Sequence, residues 1–315
     1  MSPITPPKPV LLVALGGNAL IRKGQKGTID EQFANIRVPM RQIAQLTATF
    51  RMIITHGNGP QVGNLMLQQE CCPDVPRLPL EILVAQTQGQ IGYMIESTLD
   101  SELMAMGIVT QKGLVSLISY VVVDPNDPAF ADPSKPVGPV YPEDVVPSLP
   151  FPVKKTPKGY RRVVASPKPL TIVEQKEIRQ LIAMDFVVIC CGGGGIPVIR
   201  EGRGFCGVDA VIDKDLASAK LARQVGVDIF CIATDVAGVS LDYGTPQQRL
   251  LPRLDVRAAE NYLAQGQFPP GSMGPKVEAA VEFVRATGKR AAIGPIENIA
   301  GTVAGTHGTQ ITLEP

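Results

Sequence analysis

Three apolar, β-branched runs in this chain stop abruptly at glycine-dense turns: Val10-Leu-Leu-Val-Ala-Leu-Gly-Gly-Asn18, Met52-Ile-Ile-Thr-His-Gly-Asn-Gly59 and Phe186-Val-Val-Ile-Cys-Cys-Gly-Gly-Gly-Gly195. Glycine at a strand end lets bare backbone N–H groups approach a ligand, so each turn is a candidate seat for anionic oxygens. A single such turn is also ordinary strand-to-helix punctuation. Here all three follow buried-type strands and precede helical patterns, which is where open α/β sheets bind ligands. The pattern predicts an enzyme that handles phosphate or carboxylate groups.

At 315 residues and 44% hydrophobic, the chain can bury a large core as one α/β domain or two smaller ones. Thirty Lys and Arg stand against 29 Asp and Glu, a net charge of +1 with no dense basic run. That leaves no electrostatic footprint for nucleic acid or an anionic membrane, so a small substrate is expected. The opening Met1-Ser-Pro-Ile-Thr-Pro-Pro-Lys8 lacks the basic-then-apolar order of a signal peptide. No apolar stretch approaches the roughly 20 residues that span a bilayer, and a cytoplasmic protein is expected. Cysteines at 71, 72, 190, 191, 206 and 231 form no Cys-x-x-Cys and read as small buried hydrophobes. With His56 and His307 as the only histidines, no His-based metal site is expected. Chemistry then falls to lysines, carboxylates and backbone amides.

Strand and helix patterns alternate along most of the length, the mark of a parallel sheet covered on both faces. Residues 30 to 49 carry helical spacing that Pro39 should kink or delay. Pro60 opens the next helix just past Asn58-Gly59, where free N–H groups favour an anion. A long helix from about Leu80 to Met106 and a strand around Leu114 to Val123 follow. From Asp124 to Pro169 lie 12 of the 29 prolines with no sustained helical period, so this stretch reads as an excursion containing short ordered strands. Alternation resumes with a helix near 171 to 184 and the strand 186 to 191. A helix opened by Val211-Ile-Asp-Lys-Asp runs to about Val225, with Asp213 as its cap. A strand covers Val227 to Thr234, and Gly271-Ser-Met-Gly-Pro-Lys276 starts the last long helix, with proline at its first position.

Lys214 and Lys276 each fall in the first turn of a predicted helix, where the macrodipole disfavours a cation unless an anion is near. Either side chain could simply reach solvent, but the repetition points to a bound anion. Asp213 and Asp215 flank Lys214, and a carboxylate there can hold two lysine heads apart and oriented. His56 could touch substrate or be a satisfied hydrogen-bonding residue. The Walker Gly-x4-Gly-Lys-Ser/Thr does not occur.

From about Leu12 to Ile311 the chain resembles the carbamate kinases of the amino-acid-kinase fold. The resemblance rests on Ala14-Leu-Gly-Gly-Asn-Ala, Thr55-His-Gly-Asn-Gly-Pro-Gln-Val-Gly-Asn, Gln86-Thr-Gln-Gly, Val121-Val-Val-Asp-Pro and Pro133-Ser-Lys-Pro-Val-Gly-Pro139. It extends through Ser166-Pro-Lys-Pro, Cys191-Gly-Gly-Gly-Gly-Ile-Pro-Val, Ala210-Val-Ile-Asp-Lys-Asp-Leu-Ala-Ser and Gly271-Ser-Met-Gly-Pro-Lys276. It implies one α/β domain over 1–315, a three-layer αβα sandwich around a mainly parallel sheet, with 124–169 inserted as a protruding subdomain. The implied reaction is reversible phosphoryl transfer from carbamoyl phosphate to ADP, giving ATP and carbamate. Magnesium carried by the nucleotide phosphates, a homodimer and a place in arginine metabolism are implied as well. By motif, Lys135, Lys214 and Lys276 would neutralise the transferring phosphoryl group and Asp215 would orient lysines. Gly16, Gly17, Asn18, Gly57, Asn58 and Gly59 would hold substrate oxygens, and Gly193, Gly194, Asp235, Tyr243, Met273 and Lys276 would hold the nucleotide.

Acylamino-acid kinases of this fold carry a lysine just before the first glycine pair, where this chain has Ala14-Leu15, so Lys135 is the natural supplier of the missing charge. A kinase of the same fold acting on another small acid, and a catalytically silent nucleotide-binding regulator, are the competing readings. Three departures from the family pattern stand out: Gln267 in place of a usual His, Pro39, and Gly294-Pro295.

Overall fold

The computed structural model describes residues 7–72, 74–108, 112–156 and 159–314. The first six residues, on which the leader reading rests, lie outside them, as do Pro157 and Lys158 of the excursion.

Strand β1 (Val10–Leu15) is buried along its whole length, and its alternate residues enter different cores. Val10, Leu12 and Ala14 join one apolar cluster and Leu11, Val13 and Leu15 another. Side chains of a strand alternate between faces, so two buried faces require a covering layer on each. Helices α1 (Ile29–Leu46), α3 (Leu80–Ala105) and α8 (Ile299–Ala304) cover one face. On the other lie α4 (Gln175–Ala183), α5 (Lys214–Val225), α6 (Val256–Ala264) and α7 (Met273–Thr287). The remaining helix, α2 (Gly59–Cys71), follows the second glycine turn.

The sheet between these layers has eight strands. Their order is β15 (Arg253–Asp255), β17 (Thr309–Thr312), β16 (Arg290–Pro295), β12 (Ile229–Thr234), β1, β2 (Arg51–His56), β9 (Val187–Ile189) and β3 (Leu114–Ser116). The β16–β17 pairing is antiparallel and the other pairings are parallel. This is the mainly parallel sandwich expected. A second sheet runs β11 (Gly204–Gly207), β10 (Ile196–Glu201), β4 (Tyr120–Val123), β8 (Pro169–Ile172). The excursion folds into a sheet of its own, β5 (Lys135–Tyr141), β7 (Gly159–Val164), β6 (Val153–Thr156), all antiparallel. A short hairpin, β13 (Ser240–Leu241) and β14 (Arg249–Leu250), completes the strands.

Val137 of β5 and Val164 of β7 pack with Val62 and Met66 of α2 and Leu83 and Val84 of α3. Gly63 and Gly138 make the same contact on the backbone side, since a Cβ on Gly63 would stand 3.5 Å from the Gly138 Cα. The excursion is therefore seated on α2.

Four expectations need correction. The strand expected over 114–123 is two strands in different sheets, because the chain turns at Ser119, whose amide and carbonyl are both held by the Gln88 side chain at 2.9 and 3.3 Å. The helix expected from 171 starts at Gln175, since Ile172 pairs with Val121 as strand. Pro39 does not delay α1, which begins at a Thr28–Glu31 capping box and buries the proline. Pro275 is the third residue of α7 rather than its first. Of the cysteines, 190, 191 and 231 are buried as expected; 71 and 72 at the end of α2 and 206 on β11 are exposed.

Candidate active site

Parallel strands β12, β1, β2 and β9 are neighbours, so the turns after them open along one edge of the sheet. The first and second turns touch: a Cβ on Gly57 would lie 3.3 Å from the Gly17 amide nitrogen and 3.7 Å from Cδ of Lys214. The second and third touch as well. Gly193 has φ +68°, and a Cβ there would overlap the Asn58 amide group at 2.2 Å. Glycine is required at this position on both counts.

Not every amide in these turns is free. Gly16 N–H donates to the Ala233 carbonyl at 3.0 Å and Gly57 N–H to Leu15 at 3.1 Å, which continues the β12–β1–β2 ladder. Gly194 N–H donates to Cys191. Strand pairing thus uses the donors at Gly16 and Gly57, and the third turn itself the one at Gly194, all at residues expected to hold ligand. The amides of Gly17, Asn18, Asn58 and Gly59 donate to no protein acceptor among the described residues, and Gly59 opens α2 at its positive dipole end. Asn58 is fixed by donating to Thr87 Oγ1 at 2.9 Å, and Thr87 in turn donates to the Val84 carbonyl.

Facing these turns is a chain of charges. Asp213 caps α5 by accepting from the amides of Asp215 and Leu216, which leaves Lys214 as the first helical residue. The Asp215 carboxylate then accepts from Lys214 Nζ on one oxygen at 2.5 Å and from Lys276 Nζ on the other at 3.1 Å. Its side chain is 4% exposed. Burial alone would raise the Asp215 pKa, yet the two ammoniums outweigh it and hold the carboxyl below its ordinary value. Lys214 is drawn below its ordinary value, by burial first and by Lys276 as well, with Asp215 opposing. Beneath it, Ser218 Oγ donates to the Lys214 carbonyl and sits 2.7 Å from Thr55 Oγ1, which locks the first turn of α5 to β2.

Lys135 arrives from the excursion. Its Nζ lies 2.8 Å from Asp213 Oδ2, so residues 78 apart in sequence meet at the start of α5. Three lysines and two aspartates form one contiguous array. Of the two carboxylates expected to hold lysines, Asp215 takes Lys214 and Lys276, while Asp213 takes Lys135 and caps α5 as well; Thr87 and Ser218 are supports that the sequence does not single out.

His56, at the end of β2, is buried, with Nδ1 donating to the Gly57 carbonyl at 3.2 Å. Burial, helped by Lys214, pushes its pKa down to about 4, so the ring is neutral near physiological pH. Its Nδ1 is committed to the backbone, and the neutral ring brings no charge to the site.

The residues expected for nucleotide do not gather in one place. Gly193 and Gly194 sit against Asn58 and Ile212 on the β9 side. Asp235 follows β12, three strands away, where its Oδ2 accepts from Asn18 Nδ2 at 2.6 Å. Tyr243 is exposed on the turn after β13, and Met273 and Lys276 open α7. Gln267 accepts from the Asp242 amide at 3.1 Å and so ties that turn to the loop before α7. Among the described residues no three His, Cys, Asp or Glu side chains gather as a metal site. No helix of the described residues is long and apolar enough to cross a membrane.

The amino acid kinase family matches residues 9–294. The carbamate kinase of Thermococcus kodakarensis is 44% identical over 314 residues, covering 96% of this chain and 99% of that protein. The chain belongs to the carbamate kinases of the amino acid kinase family. The family member from Pyrococcus horikoshii is 45% identical, with 96% and 98% covered. A crystallised carbamate kinase from Giardia lamblia, bound to AMP-PNP, superposes with a TM-score of 0.90 at 38% identity, over 97% of this chain and 98% of that one. Family membership makes the chain an ATP-binding phosphotransferase.

Proposed function

We propose that the enzyme transfers the phosphoryl group of carbamoyl phosphate to ADP, reversibly, giving ATP and carbamate. The single observation that carries the reading is the lysine array: Asp215 bridges Lys214 and Lys276, while Asp213 holds Lys135 beside them. Phosphoryl transfer asks little covalent help of the protein and depends on positioned donors and cations. The three ammoniums neutralise the transferring group and the nucleotide phosphates; Asp215 fixes two of them and Asp213 the third. The amides of Gly17, Asn18, Asn58 and Gly59 supply hydrogen bonds to the oxygens. Carbamate is already an anion, so no general base is needed, in keeping with a buried, neutral His56. Ala14 and Leu15 are fully buried, so the charge that acylamino-acid kinases carry there comes from Lys135 instead.

Magnesium enters on the nucleotide phosphates and spreads their charge, which suits a site whose own ligands are mostly cations and amides. Nucleotide lies toward Asp235, Tyr243, Met273 and Lys276. We read the chain as one domain with 124–169 inserted as a subdomain that delivers Lys135, working in the cytoplasm in arginine metabolism. The same reading makes it a homodimer. Ile82, Tyr93 and Met104, exposed along one side of α3, support that state. Purified protein given ADP, magnesium and carbamoyl phosphate should form ATP. Folded protein that makes none above the uncatalysed background overturns the reading.

A further inference from the structure

Away from the glycine turns, a cavity of about 410 Å³ lies between β8, α5 and α7. Four cations line it, Lys168, Lys220, Arg223 and Arg285, against the single carboxylate Glu282. Two of the four are already compensated from outside the lining: Lys168 by Glu278 at 3.1 Å, and Arg285 by Glu260. Lys220 and Arg223 make no ion pair among the described residues. They stand three residues apart on α5, so they face the same way and repel. Burial lowers the Lys220 pKa, Arg223 adds to the effect and Glu282 opposes it.

The third side of the cavity is built rather than loose. Lys168 sits between prolines in Ser166-Pro-Lys-Pro169, and its amide donates to Asp127 Oδ2 at 3.0 Å. Leu170 and Leu216 add apolar wall. Lys220 is six residues along α5 from Lys214, about 9 Å down the helix axis, so the cavity is separate from the lysine array.

We propose that this cavity binds a small multivalent oxyanion, phosphate or carboxylate in class, with Lys220 and Arg223 as its principal partners and Lys168 as the third. The apolar wall takes the carbon part of such a molecule. Because α5 and α7 also carry Lys214 and Lys276 on their first turns, an anion held between them further down is an effector rather than a substrate.

The test is calorimetric titration of pyrophosphate, and separately of citrate, into the full chain presaturated with AMP-PNP. The same titrations are made with K220A/R223A and K220R/R223K. One site is expected, at least about tenfold weaker in the alanine pair and retained in the charge-conserving pair. Hydrogen exchange should be slowed over 216–223 and 282–286. Tighter pyrophosphate assigns a phosphate-bearing ligand and tighter citrate a carboxylate one. Equal affinity in wild type and K220A/R223A overturns the site, as does absence of both heat and protection at millimolar probe. Turnover without added anion should be unchanged in K220A/R223A; its loss would place these residues in the catalytic structure and overturn the separation.

Discussion

Asp215 accepts one ammonium on each oxygen, so its charge sets the spacing of the pair. Asp215→Asn keeps the shape and removes the charge, and kcat should fall by roughly a hundredfold or more, the scale of losing a preorganised electrostatic group. The same drop is expected for Lys214→Ala and Lys276→Ala. A continuous ATP assay checks all three, and near-wild-type turnover in the two lysine variants would refute their role. Asp213 combines a helix cap with a hold on Lys135, and Asp213→Ser separates the two. Serine still caps, so the melting temperature should stay near wild type while kcat falls; a drop in stability alone would leave Asp213 as a cap and nothing more. Lys135→Ala should likewise lower kcat far more than ADP affinity. His56 gives a pH signature. Its folded pKa of about 4 lies below the unfolded value of 6.5, so only the unfolded chain takes up the proton between them. Stability therefore falls as pH drops from 6.5 towards 4 and levels off below, by at most about 3 kcal/mol. Urea unfolding of His56→Asn against wild type, at about pH 5 and pH 7.5, should show a flatter slope in the variant. Lys214 and Lys276 were legible in the sequence because a cation in a first helical turn opposes the dipole, and the flanking aspartates because a carboxylate there can hold lysine heads. The pairing of Asp213 with Lys135 in particular was not, since Lys135 lies in a strand and the meeting crosses 78 positions.

At the scale of elements, the strands ending in glycine turns, α2, α3 and α5 could be read directly from apolar period, caps and proline. What escaped was wherever a side chain far away decided the path. Gln88 bends the chain at Ser119 and splits one apolar run between two sheets, and nothing local to 114–123 signals that bend. Pro39 lacks only the N–H that would reach Asn35, and the burial of α1 against the sheet outweighs that loss. The excursion was correctly read as short strands, but its seat on α2 was invisible to composition. That seat bears on an experiment. No strand of the eight-stranded sheet comes from 124–169, so a short Gly/Ser linker in its place should leave a cooperatively folding protein. Val62, Met66, Leu83 and Val84 lose their partners in that variant, so its melting temperature should be lower and its turnover abolished. Calorimetry reads the first and the ATP assay the second; a non-cooperative transition would mean the excursion is integral to the core.

For the molecule as a whole, the outer side of α3 gives the proposed dimer a place to form. Tyr93, 67% exposed at the middle of a 26-residue helix, is its natural centre. Tyr93→Glu should convert a dimeric mass in light scattering to a monomeric one, and a monomer in the unaltered protein at micromolar concentration would count against the state. The family and fold were open to sequence reading because the glycine turns and the long motif matches run through nearly the whole chain. Its assembly was not, since an exposed tyrosine and a core tyrosine look alike in a helical pattern. One last property follows from the lysine array. Asp213 and Asp215 cancel two of the three ammonium charges, so the pocket displays about one surplus charge in place of three. Such a pocket exerts little pull on anions at a distance, and the capture rate of carbamoyl phosphate should vary only weakly with ionic strength.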